Sequence, residues 1–168
     1  MSQQKTGLMY VPASAAYKAG DGYLCIPAEY SPWISTTDYY DTPERVTEAH
    51  ALLERSGLLA KLVPIAPRPA TPEELTGFHS AAYIEKLQRL SAGEGGLVGE
   101  YCRIGHGGLD VIAQAVGGDL VALDEVMARH VRNAFCLQRP PGAHAERESG
   151  FGFCVVNDFN ILIQRARE

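Results

Sequence analysis

The chain has 168 residues, of which 46% are hydrophobic and 21% charged, a composition that supports a packed core and excludes a disordered chain. Its net charge is −5 and its lysines and arginines are scattered, so it offers no basic face to nucleic acid. No run approaches the roughly 18 apolar residues of a membrane span, and the start lacks the basic and apolar regions of a secretory signal. The four cysteines, Cys25, Cys102, Cys136 and Cys154, have neither zinc-knuckle nor redox-pair spacing. They read as buried, reduced thiols of a cytoplasmic protein.

Residues 7–12 form a short apolar run that predicts a first strand. Residues 13–40 read as a long irregular stretch, too aromatic for plain disorder. Its rings, Tyr17, Tyr23, Tyr30, Trp33, Tyr39 and Tyr40, suit a site rim, a subunit contact or a core cover. Thr42 as cap, Pro43 as first helical residue and Glu44 at the positive end of the dipole predict a helix. Val46, Ala49 and Leu53 lie on its inner face, and Gly57 ends it. Residues 62–67 read as a second strand. Thr71 and Glu74 have capping-box spacing around Pro72. Ser80 then caps a helix with Tyr83, Leu87 and Leu90 on one side.

The glycine-rich residues 91–108 read as a loop. Leu109, Ile112, Ala113, Val116, Leu120, Leu123 and Met127 follow at helical spacing. Residues 133–138 predict a third strand, which feeds Arg139-Pro140-Pro141-Gly142, a sequence no strand or helix can continue. Phe159, Leu162, Ile163 and Ala166 predict a last helix from about Asn157. Alternating strands and helices predict an α/β parallel sheet with helices on both faces. Three strands are few for such a sheet. Residues 1–168 are therefore expected to be the amino-terminal portion of one larger domain, with a bare apolar edge after the third strand. The remainder of a longer protein, or a second copy, would complete that sheet.

Residues 139–160 read RPPGAHAERESGFGFCVVNDFN. This resembles the signature of the histone deacetylase family and its bacterial amidohydrolase relatives. Arg139, Pro140, Pro141, Gly142, His144 and Ala145 match the first half, and Gly152, Phe153, Cys154, Asn157 and Asp158 the second. Upstream, Leu75, His79, Tyr83 and Ile84, and the DTPERV run from Asp41 to Val46, are also similar to family segments. The resemblance spans nearly the whole chain and implies an arginase/deacetylase-like fold. It further implies zinc-dependent removal of an acetyl or acyl group from an amine, such as acyl-lysine, an acetylpolyamine or a related small amide. It implies a structural monovalent cation as well.

Amide hydrolysis needs an activated water, a polarised carbonyl and a proton for the leaving amine. In the resembled family two adjacent histidines share this work. The second, the general acid/base, maps to His144. The first maps to Ala143, so one imidazole of the dyad is lost. Phe153 maps to a wall of the acyl channel and Gly152 to a close approach of backbone to ligand. The family's zinc ligands and its carbonyl-polarising tyrosine map beyond Glu168, so no residue of this chain is assigned as a metal ligand. The resemblance thus implies that the chain alone is inactive. The intact motif around Ala143 favours an introduced substitution over a natural pseudoenzyme.

Other histidines, His50, His79, His106 and His130, are read as structural, with His79 packing beneath the site. Glu94 and Glu100 lie where some family members place an acidic residue that grips substrate. A Cys154–His144 nucleophilic pair and a phosphate loop at Gly150–Gly152 are weaker readings. The first needs a reactive rather than a buried thiol, and the second lacks its lysine. The alternative to an enzyme is a pseudoenzyme or incomplete module that binds without turnover; a chain ending at Glu168 is expected to carry no stoichiometric zinc, whereas a longer parent is.

Overall fold

The computed structural model describes residues 5–23, 26–30, 33 and 40–168. Cys25 and Tyr39 lie outside them. In chain order the strands and helices are β1 (Thr6–Tyr10), β2 (Gly22–Tyr23), β3 (Ile26–Pro27), α1 (Glu44–Arg55), β4 (Val63–Ile65), α2 (Pro72–Thr76), α3 (Ala81–Ala92), β5 (Gly96–Glu100), β6 (Cys102–Ile104), α4 (Gly108–Met127), β7 (Asn133–Leu137), β8 (Gly150–Phe151) and α5 (Asp158–Arg165).

Strand alternation builds the core. The three expected strands form one parallel sheet in the order β4-β1-β7. Successive side chains of β1 point to opposite faces. Leu8 packs with Val46 of α1 and Leu137, flanked by Ala49 and Leu53. Met9 and Val11 pack on the other side with Ile65, Ala122 of α4 and Val131. The sheet is therefore covered by α1 on one face and α4 on the other, the α/β arrangement the alternation predicts. Among the described residues no strand pairs with the outer edge of β7, and Phe135 there is 50% exposed. Cys136, expected to be buried, is exposed at this edge, whereas Cys102 and Cys154 are buried free thiols.

Helix starts follow local chemistry. At α2 Thr71 Oγ1 accepts from Glu74 N–H (3.2 Å), and Glu74 Oε2 accepts from Thr71 N–H (2.8 Å), the reciprocal capping box. Ser80 caps α3 through Tyr83 N–H. At α1 the expected cap is displaced. Pro43 occupies the N-cap position without a side-chain cap, and Thr42 instead hydrogen-bonds Glu44.

Two expectations change. Residues 91–108 hold the antiparallel hairpin β5–β6, and β5 also pairs in parallel with β8. Glycines hide these strands from propensity, yet the packing requires them. A Cβ on Gly99 would overlap the Gly150 carbonyl of the neighbouring strand. Val98, Cys102 and Ile104 supply the buried side. On α5 the buried residues are Asp158 and Ile161, while Phe159 and Ile163 face outward, 59% and 47% exposed. Within residues 13–40, Pro12–Ala16 form a 3-10 turn and β2 pairs with β3. Tyr17 covers the core, but Tyr23, Tyr30, Trp33 and Tyr40 are exposed.

Candidate active site

The segment after β7 is held by a buried arginine. Arg139 is 2% exposed. Its Nη1 donates to the Ser14 and Tyr17 carbonyls, both at 2.8 Å. Its Nε donates to Asp41 Oδ1 (3.3 Å), and its Nη2 lies 3.2 Å from Asp41 Oδ2 and also donates to the Asp41 carbonyl. The guanidinium lies 5.3 Å from the Tyr17 ring centroid. A planar fork with five donors suits this task, which a lysine could not perform. One side chain thus ties the Pro12–Ala16 turn and the start of α1 to the Arg139–Gly142 turn.

The next anchor comes from the residues that lead into α5 and α3. Asn157 caps α5 by accepting from Asn160 N–H at 2.9 Å. Its Nδ2 donates to the Ala145 carbonyl (2.6 Å) and to the Ala143 carbonyl (3.4 Å). His79, 1% exposed, accepts from Asn157 N–H at Nε2 (2.8 Å). Its other ring nitrogen, Nδ1, is 3.1 Å from the Arg147 carbonyl, which can only accept, so the proton sits on Nδ1 and the ring is neutral. Burial holds the His79 pKa below the usual imidazole range, in keeping with this tautomer. Gly142 permits the closest approach: a Cβ there would overlap the Val156 carbonyl oxygen and Asp158 Oδ1 and stand 2.7 Å from Asp158 Cγ.

With the backbone held below, Ala143 and His144 face solvent. The His144 ring meets Phe151 edge-on, centroids 6.3 Å apart. Phe153 is half-buried against the largest core cluster and meets the exposed Tyr40 edge-on at 6.5 Å. Gly152 lies between these aromatics in sequence. Its φ is +60°, and nothing lies within 4 Å of where its Cβ would stand. Left-handed backbone accounts for this glycine, and the space above it is open. Gly152 N–H donates to the Glu100 carbonyl (2.9 Å), so Glu100 ends beside this loop. Glu94 precedes the opposite end of β5.

The remaining histidines lie elsewhere. His50 stacks on Tyr10, His106 contacts the Gly93 carbonyl, and His130 pairs with Glu125. Cys154 is 2% exposed, and burial pushes its thiol up. It is an inert neighbour of the turn, not a nucleophile. Sequence reasoning missed the Arg139–Asp41 clasp and Asn157's hold on the loop. Only the bare motif letters hinted at either. Among the described residues no group of three or more His, Cys, Asp or Glu side chains could hold a metal ion. The zinc implied by the resemblance has no ligand set among them. Also among the described residues, no helix is long and apolar enough to cross a membrane.

A covered parallel sheet carrying an arginine-pinned Pro-Pro-Gly turn and a Gly-Phe-Cys loop defines a deacetylase-type α/β domain. The chain belongs to the histone deacetylase family, whose histone deacetylase domain matches residues 39–168. It is 30% identical over 167 residues to the histone deacetylase-like amidohydrolase of Pseudomonas aeruginosa, covering 98% of this chain and 43% of that protein. It is 31% identical over 145 residues to the polyamine deacetylase HDAC10 of Danio rerio, covering 81% of this chain and 21% of that protein. The crystal structure of the HDA15 HD domain superimposes with a TM-score of 0.84 at 18% identity, covering 98% of this chain and 44% of that one. The chain thus spans less than half the length of these relatives.

Proposed function

We propose that this chain builds one wall of the acyl pocket, and the proton-handling edge, of a deacetylase that cleaves acyl groups from amines. Acyl-lysine and acetylpolyamines are the substrates this reading favours. One observation carries it: the turn is locked from below by Asn157 and His79, yet positions 143 and 144 stand free at the surface beside Phe151. A rigid support under an exposed imidazole is what proton transfer to a leaving amine requires. Phe153, backed by the core, offers a flat apolar face to an alkyl chain. The open space over Gly152 leaves room for that chain to pass.

The family resemblance implies a zinc-activated water. The described residues supply no ligand set for zinc, so no step is assigned to the metal. His144 would donate the proton to the departing amine. Ala143 leaves that imidazole without the partner the family provides, and turnover should be low. In a full-length chain that carries the zinc ligands expected beyond Glu168, restoring histidine at 143 is expected to raise hydrolysis of an acetyl-lysine peptide or an acetylpolyamine by about 10²–10⁴-fold, the usual weight of a positioned acid/base group. No gain on either substrate would overturn the reading. A second reading, binding without turnover, is favoured by Ala143 itself. It predicts saturable binding of N-acetyl amines that Phe153→Ala weakens, with no hydrolysis whether alanine or histidine stands at 143.

A further inference from the structure

Behind the turn, α4, β7 and α5 meet around two acids that the proposed activity does not use. Asp119 of α4 is 4% exposed and Asp158 of α5 is 7% exposed. The Gln138 amide reaches both, with Nε2 at 3.3 Å from Asp119 Oδ2 and 3.4 Å from Asp158 Oδ2. Sharing this one amide sets the two carboxyls side by side. Asp158 Oδ1 accepts from Phe159 N–H at 2.9 Å, whereas Asp119 Oδ1 meets no donor. Around them, β7 contributes Cys136 and is followed directly by Gln138, α5 contributes a backbone N–H, and β1 packs apolar Met9 against neighbouring Gly118. Cys136, exposed as a residue at the β7 edge, is kept a neutral thiol by desolvation on the side facing Asp119 and then by the Asp119 charge. Among the described residues no Lys, Arg or His bonds to either acid.

Two buried carboxylates gathered on one amide donor, without a cation, cannot both be ionised at little cost. A carboxyl–carboxylate pair with one proton removes that repulsion. Asp119 is the better seat for the proton, because Asp158 already has a backbone donor. Its pKa is pushed up to about 7, chiefly by burial and then by the Asp158 charge, and burial also raises Asp158. A second contact connects the pair to the candidate site. Asp158 Oδ1 fills the space where Gly142 has no Cβ. It is therefore both the partner of Asp119 and the seat of the turn that presents Ala143 and His144.

We infer that Asp119 and Asp158 share one proton at neutral pH, and that this proton is a pH-sensitive clasp between α4, α5 and the Gly142 turn. When it leaves to solvent, two buried anions repel across the α4–α5 seam and Asp158 loosens its hold beneath Gly142. The clasp does not depend on the deacetylase reading, because every group in it lies behind the surface that would meet substrate.

The test has three parts, all on the protein itself. A carbon-13 titration of its aspartate carboxyls should show one group titrating near neutrality. Complete ionisation of all of them by pH 5 would overturn the shared proton. Second, Asp119→Asn keeps the hydrogen bond but cannot ionise. The folded state holds a proton that the unfolded chain releases near its ordinary value. Stability from this group is thus full below about pH 4 and is lost as pH rises to about 7. The ratio of wild-type to D119N folding constants should fall about tenfold per pH unit across that window and level off above it. His79 titrates identically in both proteins and cancels. A flat ratio would refute the proposal. Third, the Ala145 amide, which donates to the Gly142 carbonyl at 3.1 Å, normalised to the amides of α3, should lose protection in wild type as pH rises past 7 but not in D119N. Equal behaviour in the two proteins would refute the link to the turn. Should D119N fail to fold, the wild-type titration and exchange decide.

Discussion

Replacing His79 by leucine tests whether this ring holds the candidate site or merely fills space beneath it. Leucine keeps much of the volume against Phe78 and Tyr83 but removes both polar contacts. The two losses are unequal. The Arg147 carbonyl still accepts from Ser80 N–H at 3.2 Å, so its loss costs little. The Asn157 N–H has His79 as its acceptor and belongs to a residue 3% exposed. Leaving such a donor unsatisfied costs about 1–3 kcal/mol, and imperfect packing of leucine adds about 1 kcal/mol. The expected loss is about 3 kcal/mol. With a urea slope of roughly 2 kcal/mol/M, the unfolding midpoint drops by about 1.5 M.

His79→Gln, whose amide oxygen can accept from Asn157 N–H, should recover about half of that loss. Charge gives an independent readout. Protonated Nε2 cannot accept, and the folded pKa is depressed by burial. This group's stability is therefore present above the ordinary imidazole value and is lost as pH falls toward its folded value. That acid-side slope should be missing in His79→Leu. A leucine variant as stable as wild type, or one no worse than glutamine, would refute the assignment.

Two further substitutions probe the same support. Gly142→Ala forces a methyl into Asp158 and the Val156 carbonyl. It should cost about 1–3 kcal/mol, read as a thermal midpoint lowered by roughly 3–10 °C. Arg139→Met strips donors from three carbonyls and a charge from Asp41. A loss of about 3–5 kcal/mol is expected, with faster proteolysis near Ser14 and Tyr17. Arg139→Lys should fall between the two, because it keeps the charge but not the fork.

Local signals carried much of the architecture. The capping box at Thr71, the Ser80 cap and the apolar rhythm of α4 are set by residues three or four apart, so they can be read along the chain. The family membership rested on the letters of residues 139–158, where backbone shape and chemistry are encoded together. Tertiary structure decided the rest. Gly99 looks like loop until β8 lies beside it, because close strand approach replaces side-chain packing there. Phe159 and Ile163 satisfy helical spacing as well as Ile161 does, and only the position of α4 selects which side is buried. Arg139 meets Asp41 across 98 residues of sequence, and Asp119 meets Asp158 from another helix. Such pairs leave no periodic trace, because their partners are chosen by how the elements stack and not by how far apart they lie along the chain.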